Sequence, residues 1–272
     1  MDVAGKTILI TGSTDGVGRQ VAQRLGAAGA RVLVHGRDRA RGDEVVKEIA
    51  RAGNDQAKFY AADLASLAEA RKLAAEVRAD QPRLDVLINN AGIGSANGGR
   101  QRRTSADGHE LRFAVNYLAG FLLAHLLLPL IRDSAPARIV NVASAGQHPI
   151  DFDDVMLTRS YDGSRAYAQS KLAQIMFTID LAHALEGSGV TVNCLHPATY
   201  MDTTMVRASG VSPVSTVAEG ADAILRLVTA PELATRSGLY FNRQSEARAH
   251  SQAYDGAARE RLRMLSMKLT GL

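Results

Sequence analysis

The sequence predicts a doubly wound α/β fold, with about seven parallel strands in one sheet and helices on both faces. Three observations lead there. Short β-branched or aliphatic runs alternate with longer helical patterns along the whole length, as a parallel sheet covered on both sides requires. A glycine-rich turn, Thr11-Gly12-Ser13-Thr14-Asp15-Gly16-Val17-Gly18, lies between the first strand pattern and the first helical one. Irregular stretches follow the carboxyl ends of later strands, where an open sheet of this class places its ligands.

The strands are read at residues 7–11, 31–35, 57–61, 84–89, 138–143, 190–195 and 238–241, each a short β-branched or aliphatic run. Helical patterns fill the intervals, with a long one from about 107 to 132 and another from about 165 to 186. The stretch 94–108, rich in Gly, Ser and Arg, follows strand four, and 147–164 follows strand five. After strand six, 197–213 is long enough for a mobile lid. Its Met201, Met205, Val206 and Val211 suit an apolar substrate, or packing against the body. No repeat, linker or low-complexity tract divides the chain, so one domain over 1–272 is expected, with a small lid segment near 197–215.

Composition narrows the function classes. The 272 residues are 46% hydrophobic and 22% charged, ample for a core. The net charge of +4 comes from 32 basic and 28 acidic residues that are interspersed. Without a basic tail or an aromatic-interleaved basic stripe, a nucleic-acid partner is not expected. Cys194 is the sole cysteine and stands in an apolar run, where a small buried hydrophobe is expected. The seven histidines show no paired metal-ligand spacing, so no metal site is expected. The amino terminus has no signal-peptide layout or membrane anchor, and a cytoplasmic location is the expectation. Residues 117–131 read as a buried helix rather than a membrane span, being short for a bilayer and interrupted by Gly120, His125 and Pro129.

The chemistry is concentrated in Tyr167-Ala168-Gln169-Ser170-Lys171. Positions i and i+4 share one helix face, so phenol and ammonium can meet. A lysine beside a phenol favours the phenolate, which makes a proton-transfer device near neutral pH. At the other end, the glycines of the first turn allow close approach to a pyrophosphate, which the following helix N-terminus stabilises. Their spacing is Gly-x-x-x-Gly-x-Gly. Cofactor choice is read after the second strand, where an acid would accept from a ribose 2′-hydroxyl and an arginine would receive a 2′-phosphate. Gly36 takes the acid's place and Arg37 follows, which favours NADP(H) over NAD(H). Asp38 and Asp15 weigh toward NAD(H).

Taken together, these residues resemble the short-chain dehydrogenase/reductase family over nearly the whole chain. The turn ending in Gly16-Val17-Gly18, Asp63-Leu64, Asn89-Asn90-Ala91-Gly92, Asn116, Ser144 and Tyr167 to Lys171 occur in the family's order. The resemblance implies a Rossmann-type fold and a catalytic set of Asn116, Ser144, Tyr167 and Lys171. It implies cofactor contacts from Thr11, Gly12, Ser13, Asp15, Gly16, Val17, Gly18, Arg37, Asp63, Leu64, Asn90, Ala91, Gly92 and Pro197, with Tyr167 and Lys171 also touching the cofactor. Three further stretches are similar to the retinol-dehydrogenase-like and protochlorophyllide-reductase-like branch: residues 116–123, residues 138–144 and Gly238-Leu239-Tyr240-Phe241. The long interval from Ser144 to Tyr167 agrees with that branch. Two positions depart from the family pattern. Ala198 follows Pro197 where glycine is common, and alanine resists positive φ; Ala143 replaces a frequent serine.

What the resemblance implies is hydride transfer between NADP(H) and an alcohol or carbonyl, with an apolar substrate expected and Tyr167 moving the proton. Lys171 would lower the Tyr167 pKa and hold the nicotinamide ribose, Ser144 would bond the carbonyl oxygen, and Asn116 would orient a water beside Lys171. Two other readings stay open: a catalytically silent nucleotide-binding sensor or scaffold, and a C=C reductase using the same tyrosine. A homodimer or homotetramer through the helices at 117–131 and around Tyr167 is a further implication. Arg100, Arg102 and Arg103 could recognise an acidic substrate or simply face solvent.

Overall fold

The computed structural model describes residues 1–94 and 101–272. Strands and helices alternate from the start: β1 (Thr7–Ile10), α1 (Gly16–Ala27), β2 (Arg31–Gly36), α2 (Arg39–Arg51), β3 (Lys58–Ala61), α3 (Leu67–Asp80) and β4 (Val86–Asn89). A π-helical segment, Phe113–Leu118, then runs directly into α4 (Ala119–Asp133). Beyond it lie β5 (Ala137–Val142), α5 (Gly163–Ala184), β6 (Val190–His196), the single turn α6 (Thr204–Arg207) and α7 (Val217–Thr229). The chain finishes with β7 (Tyr240–Asn242), β8 (Ser245–Ala247) and α8 (Gly256–Thr270).

One sheet holds the strands in the order β3-β2-β1-β4-β5-β6-β7-β8. All neighbours are parallel except β7 and β8, which form an antiparallel pair. Among the described residues the count is eight rather than about seven because Ser245-Glu246-Ala247 is too short and polar to register as a strand in the sequence. Side chains alternate between two cores. Leu9, Leu33, Leu87, Ile139 and Val192 face one set of helices. Ile8, Ile10, Val32, Val34, Val86, Ile88, Val140 and Leu195 face the other. The order reverses between β1 and β4, which opens a crevice at their carboxyl ends.

Helix starts follow their caps. Asp162 accepts from the Arg165 N–H at 2.7 Å, so α5 begins at Gly163, ahead of its first apolar residues. The helix expected over 107–132 begins with a π turn in which the Ala119 N–H reaches the Ala114 carbonyl. Phe113–Asp133 is thereby a continuous 21-residue apolar helix, long enough by length and composition to cross a membrane. The expectation that this stretch is too short for a bilayer therefore does not hold. Phe113, Tyr117, Leu122, Leu127 and Ile131 are buried in the core beside α3 and the sheet.

The chain's own α8 lies over the π segment and α5. Tyr117 Oη and Ser266 Oγ are 2.7 Å apart in the interior, and Arg263 pairs with Asp180 of α5 at 3.2 Å.

Candidate active site

Missing side chains shape the glycine turn. A Cβ on Gly18 would stand 2.3 Å from the Gly12 carbonyl oxygen and 2.4 Å from Asn90 Nδ2. That space lets Asn90 Nδ2 donate to the Thr11 and Gly12 carbonyls at 2.8 and 3.1 Å. Gly12, at φ +65, abuts the Ala91 backbone, where a Cβ would stand 2.8 Å from Ala91 Cα. Asp15 caps α1 by accepting from the Gly16 N–H. The result is a cavity of about 400 Å³ lined by Gly12, Asp15, Gly16, Val17 and Gly18 on one side. Arg37, Asp63, Leu64, Asn90, Ala91 and Gly92 line the rest of the predicted contacts. An adenine dinucleotide fits this cradle: glycines for close approach, a helix N-terminus for the pyrophosphate and arginines on the rim.

Not every predicted contact faces it. The Ser13 hydroxyl donates to Ile10 O at 2.8 Å and accepts from His35 N at 3.0 Å, so it stitches the turn to β2. Thr11 Oγ1 accepts from Asn90 N and Ala91 N at 2.9 and 3.0 Å, holding the β4 loop. Pro197 is buried outside the lining. Ala198 has no positive φ; two residues on, Tyr200 takes that conformation instead, at φ +43.

Around Arg37 the charges are mixed. It lies 3.7 Å from Asp63, while Arg41, unforeseen in the sequence, lies 3.6 Å from Asp15 and 3.7 Å from Asp38. Asp38 caps α2 by accepting from Arg41 N. Gly36 has a packing reason as well as a cofactor one, because a Cβ there would strike Thr14 at 2.5 Å. His35 accepts the Gly12 N–H at Nδ1 (3.1 Å), which places its proton on the buried Nε2. Burial pushes its pKa down to about 4.

Topology brings the expected catalytic set to the cavity edge. Gly92 marks the junction: a Cβ there would be 3.4 Å from Asn116 Oδ1 and 3.5 Å from Lys171 Nζ. Lys171 Nζ lies 5.8 Å from the Tyr167 ring centre. A Cβ on Gly146 would stand 3.6 Å from Ser144 Oγ and 3.9 Å from Tyr167 Cε1, so these two flank the same glycine. Ser144, Tyr167, Lys171 and Asn116 therefore gather at one place.

The electrostatics differ from the sequence expectation. Tyr167 sits above its ordinary pKa because burial outweighs the bond from Ser144, which acts to lower it. Lys171 Nζ donates to Val142 O and Gln174 Oε1, each at 2.9 Å, and burial takes its pKa down to about 7. Two of its three donors are thus engaged away from the phenol. Asn116 is bound chiefly to protein: Oδ1 accepts from Ile93 N at 2.8 Å, and Nδ2 donates to Ile93 O and Ser170 Oγ. One Oδ1 lone pair remains for a water, so the side chain is first of all a clamp on the β4 loop. Beneath it, Asn89, Asn141 and Thr178 form a buried chain of hydrogen bonds ending on Gln174 O.

The opposite wall is apolar. Ile93, Leu111, Val115, Met201 and Met205 line it, together with Thr203 and Thr204 of the expected lid. Met205 packs on Gly94 and Thr203 on Gly16, so the lid lies across the glycine turn. Arg102 donates to Met156 O at 2.8 Å and Arg103 is exposed, while Arg100 lies outside the described residues. Among the described residues, no three His, Cys, Asp or Glu side chains gather as a metal site. Cys194 is buried, and its pKa is pushed up to about 12.

Comparison with known proteins agrees with this geometry. Residues 6–212 match the family model described as short chain dehydrogenase. Human retinol dehydrogenase 14 is 38% identical, with 98% of this chain and 87% of that protein aligned. Human retinol dehydrogenase 13 is 37% identical over 99% of this chain and 86% of its own length. Among solved structures, an uncharacterized protein from Mycobacterium paratuberculosis superposes with a TM-score of 0.81 at 26% identity, covering 99% of this chain and 95% of its own. RhlG of Pseudomonas aeruginosa, solved as an NADP active-site complex, gives 0.71 at 29% identity, covering 89% and 95%.

Proposed function

The chain belongs to the short chain dehydrogenase family and is an oxidoreductase acting on an alcohol or carbonyl group; from that premise we propose an NADP(H)-dependent enzyme that interconverts an apolar alcohol and its carbonyl, with Tyr167 as general acid and base. The observation that carries the reading is the gathering of Ser144 and Tyr167 about Gly146, with Lys171 between the Tyr167 ring and Gly92 at the edge of the glycine-turn cavity. Bound NADP(H) would supply the hydride to the substrate carbon, or accept it.

In the reducing direction Tyr167 donates a proton to the carbonyl oxygen, and in oxidation its phenolate takes one from the alcohol. Ser144 contributes a neutral hydroxyl that bonds the oxygen as negative charge develops. Lys171, with one donor left by Val142 and Gln174, holds the nicotinamide ribose. With a pKa of about 7 it can also relay a proton near neutrality. Arg37 and Arg41 favour a 2′-phosphate, and the solved NADP complex of RhlG supports the same preference. Met201, Met205, Ile93 and Val115 favour an apolar substrate.

The test mixes purified protein with NADPH and a panel of aliphatic, aromatic and isoprenoid carbonyls, retinaldehyde included because of the named relatives. Oxidation of NADPH with an alcohol product is expected. Tight NADPH binding with no oxidation across the panel would instead favour the sensor reading.

A further inference from the structure

The backbone at Ser144 is held from behind by the last part of the chain. Its carbonyl accepts from Tyr240 Oη of β7 at 3.3 Å and from Gln147 Nε2 at 3.1 Å. Gln147 in turn accepts the His250 N–H at Oε1, at 2.7 Å. Gln252 binds the same loop by its side-chain amide. Its Oε1 accepts from Ile150 N at 2.7 Å and its Nε2 donates to Ile150 O at 3.1 Å, the paired bonds a neighbouring strand would make. Arg261 of α8 reaches Asp153 at 3.1 Å and stands 4.9 Å over the Phe152 ring. Three separate ties thus join residues 147–153 to residues 250–261.

Within that loop Leu157 is fully buried at φ +48, a left-handed conformation that a non-glycine residue keeps only where its surroundings impose it. The family pattern ends at residue 212. Tyr240, His250, Gln252 and Arg261 all lie beyond it.

We infer that the segment from β7 to α8 is the positioning element for Ser144, and that Gln147 is the positioning residue through which it acts. The inference rests on the reading of Ser144 as the group that bonds the substrate oxygen. Ser144 Oγ accepts from Gly146 N at 3.1 Å, so the hydroxyl, the Ser144 carbonyl and residues 146–147 form one small rigid unit. Without the Gln147 amide, the Ser144 peptide loses one of its two donors and its tie to His250 together. The hydroxyl then drifts from Tyr167, across Gly146.

The test compares Gln147→Met, Gln147→Glu, Gln252→Leu and Ser144→Ala in the full chain. It reads kcat and KM for a carbonyl substrate, NADPH affinity, the pH profile and hydrogen exchange of residues 147–162. Gln147→Met should lower kcat roughly tenfold, the equivalent of one lost hydrogen bond, with NADPH affinity kept. Its alkaline limb should move in the same direction as that of Ser144→Ala. Gln147→Glu retains the acceptor for His250 N but turns an oxygen on the Ser144 carbonyl. It should keep the loop protected from exchange and still lose kcat to a similar extent. Gln252→Leu should raise loop exchange with a smaller kcat effect. A Gln147→Met enzyme with wild-type kcat beside a crippled Ser144→Ala would overturn the proposal, as would a fully active Gln147→Glu. If Ser144→Ala itself matches wild type, the underlying reading of Ser144 fails, and the proposal with it.

Discussion

The glycine turn and the proposed catalytic corner lie along one crevice, yet they are assembled by different means. The turn is local: within eight residues, Gly12, Gly16 and Gly18 remove side chains and Asp15 starts α1. Its partners, Asn90 and His35, bond mainly to its backbone. The corner differs, because it also needs groups that topology brings from afar. Val142 accepts from Lys171 and Tyr240 donates to the Ser144 carbonyl across the fold, while Gln174 and Gln147 act from three residues away and Asn116 bonds Ser170. Binding a pyrophosphate requires space and N–H groups, which glycine spacing encodes. Aiming a phenol and a hydroxyl requires a surrounding shell, which no short motif encodes.

The contrast can be broken at the turn. Gly18→Ala places a Cβ against the Gly12 carbonyl, a backbone atom that cannot step aside. It should destabilise the fold by about 3 kcal/mol, with NADPH affinity falling as well. Chemical denaturation and a cofactor titration check both, and an alanine variant of wild-type stability would show that the turn is looser than described.

A somewhat smaller effect should come from His35, where the turn depends on a neutral imidazole. Burial pushes its folded pKa down to about 4 from the ordinary 6.5, with Asp63 the nearby charge that opposes the shift. The unfolded chain therefore takes up the proton first as pH falls. Stability is full above about 6.5 and is lost through the window down to about 4, by on the order of 2 kcal/mol. His35→Asn, whose amide can accept from Gly12 without titrating, should flatten that acid slope in pH-dependent melting curves. An unchanged slope would move its origin elsewhere, His196 being the next candidate because burial lowers it similarly.

Smallest is the change at the rim. Replacing Arg37 and Arg41 together with alanine should weaken NADPH binding about tenfold, discounted because both are largely exposed, and leave NADH nearly unaffected. Equal loss for both cofactors would argue against a 2′-phosphate site.

The same contrast explains what was legible in the sequence. Seven strands carry periodicity, and the residues the structure gathers along the crevice, from Gly12 to Lys171, stand in short motifs, so both are legible locally. Ser13 was read as a cofactor contact since it lies inside the turn, whereas its hydroxyl faces β2. Gln174 could have been found, as it stands three residues from Lys171 on one helix face. Arg41, Gln147 and Tyr240 had no such signal, because what each side chain reaches depends on how the loops and strands close in space. Tyr167 illustrates the limit best: the i, i+4 spacing puts Lys171 near the phenol, but burial sets both pKa directions, raising the phenol and lowering the ammonium. β8 escaped notice through brevity.

The central claim is that Tyr167 moves the proton, and Tyr167→Phe tests it most directly. Turnover of a reducible carbonyl and the dissociation constant for NADPH are measured side by side on the wild type and the variant. Loss of the phenol hydroxyl should cut kcat by about 10³-fold, within the range for general acid-base groups, while NADPH affinity changes by less than about threefold. A variant that binds NADPH equally well and retains most of its turnover would contradict the account.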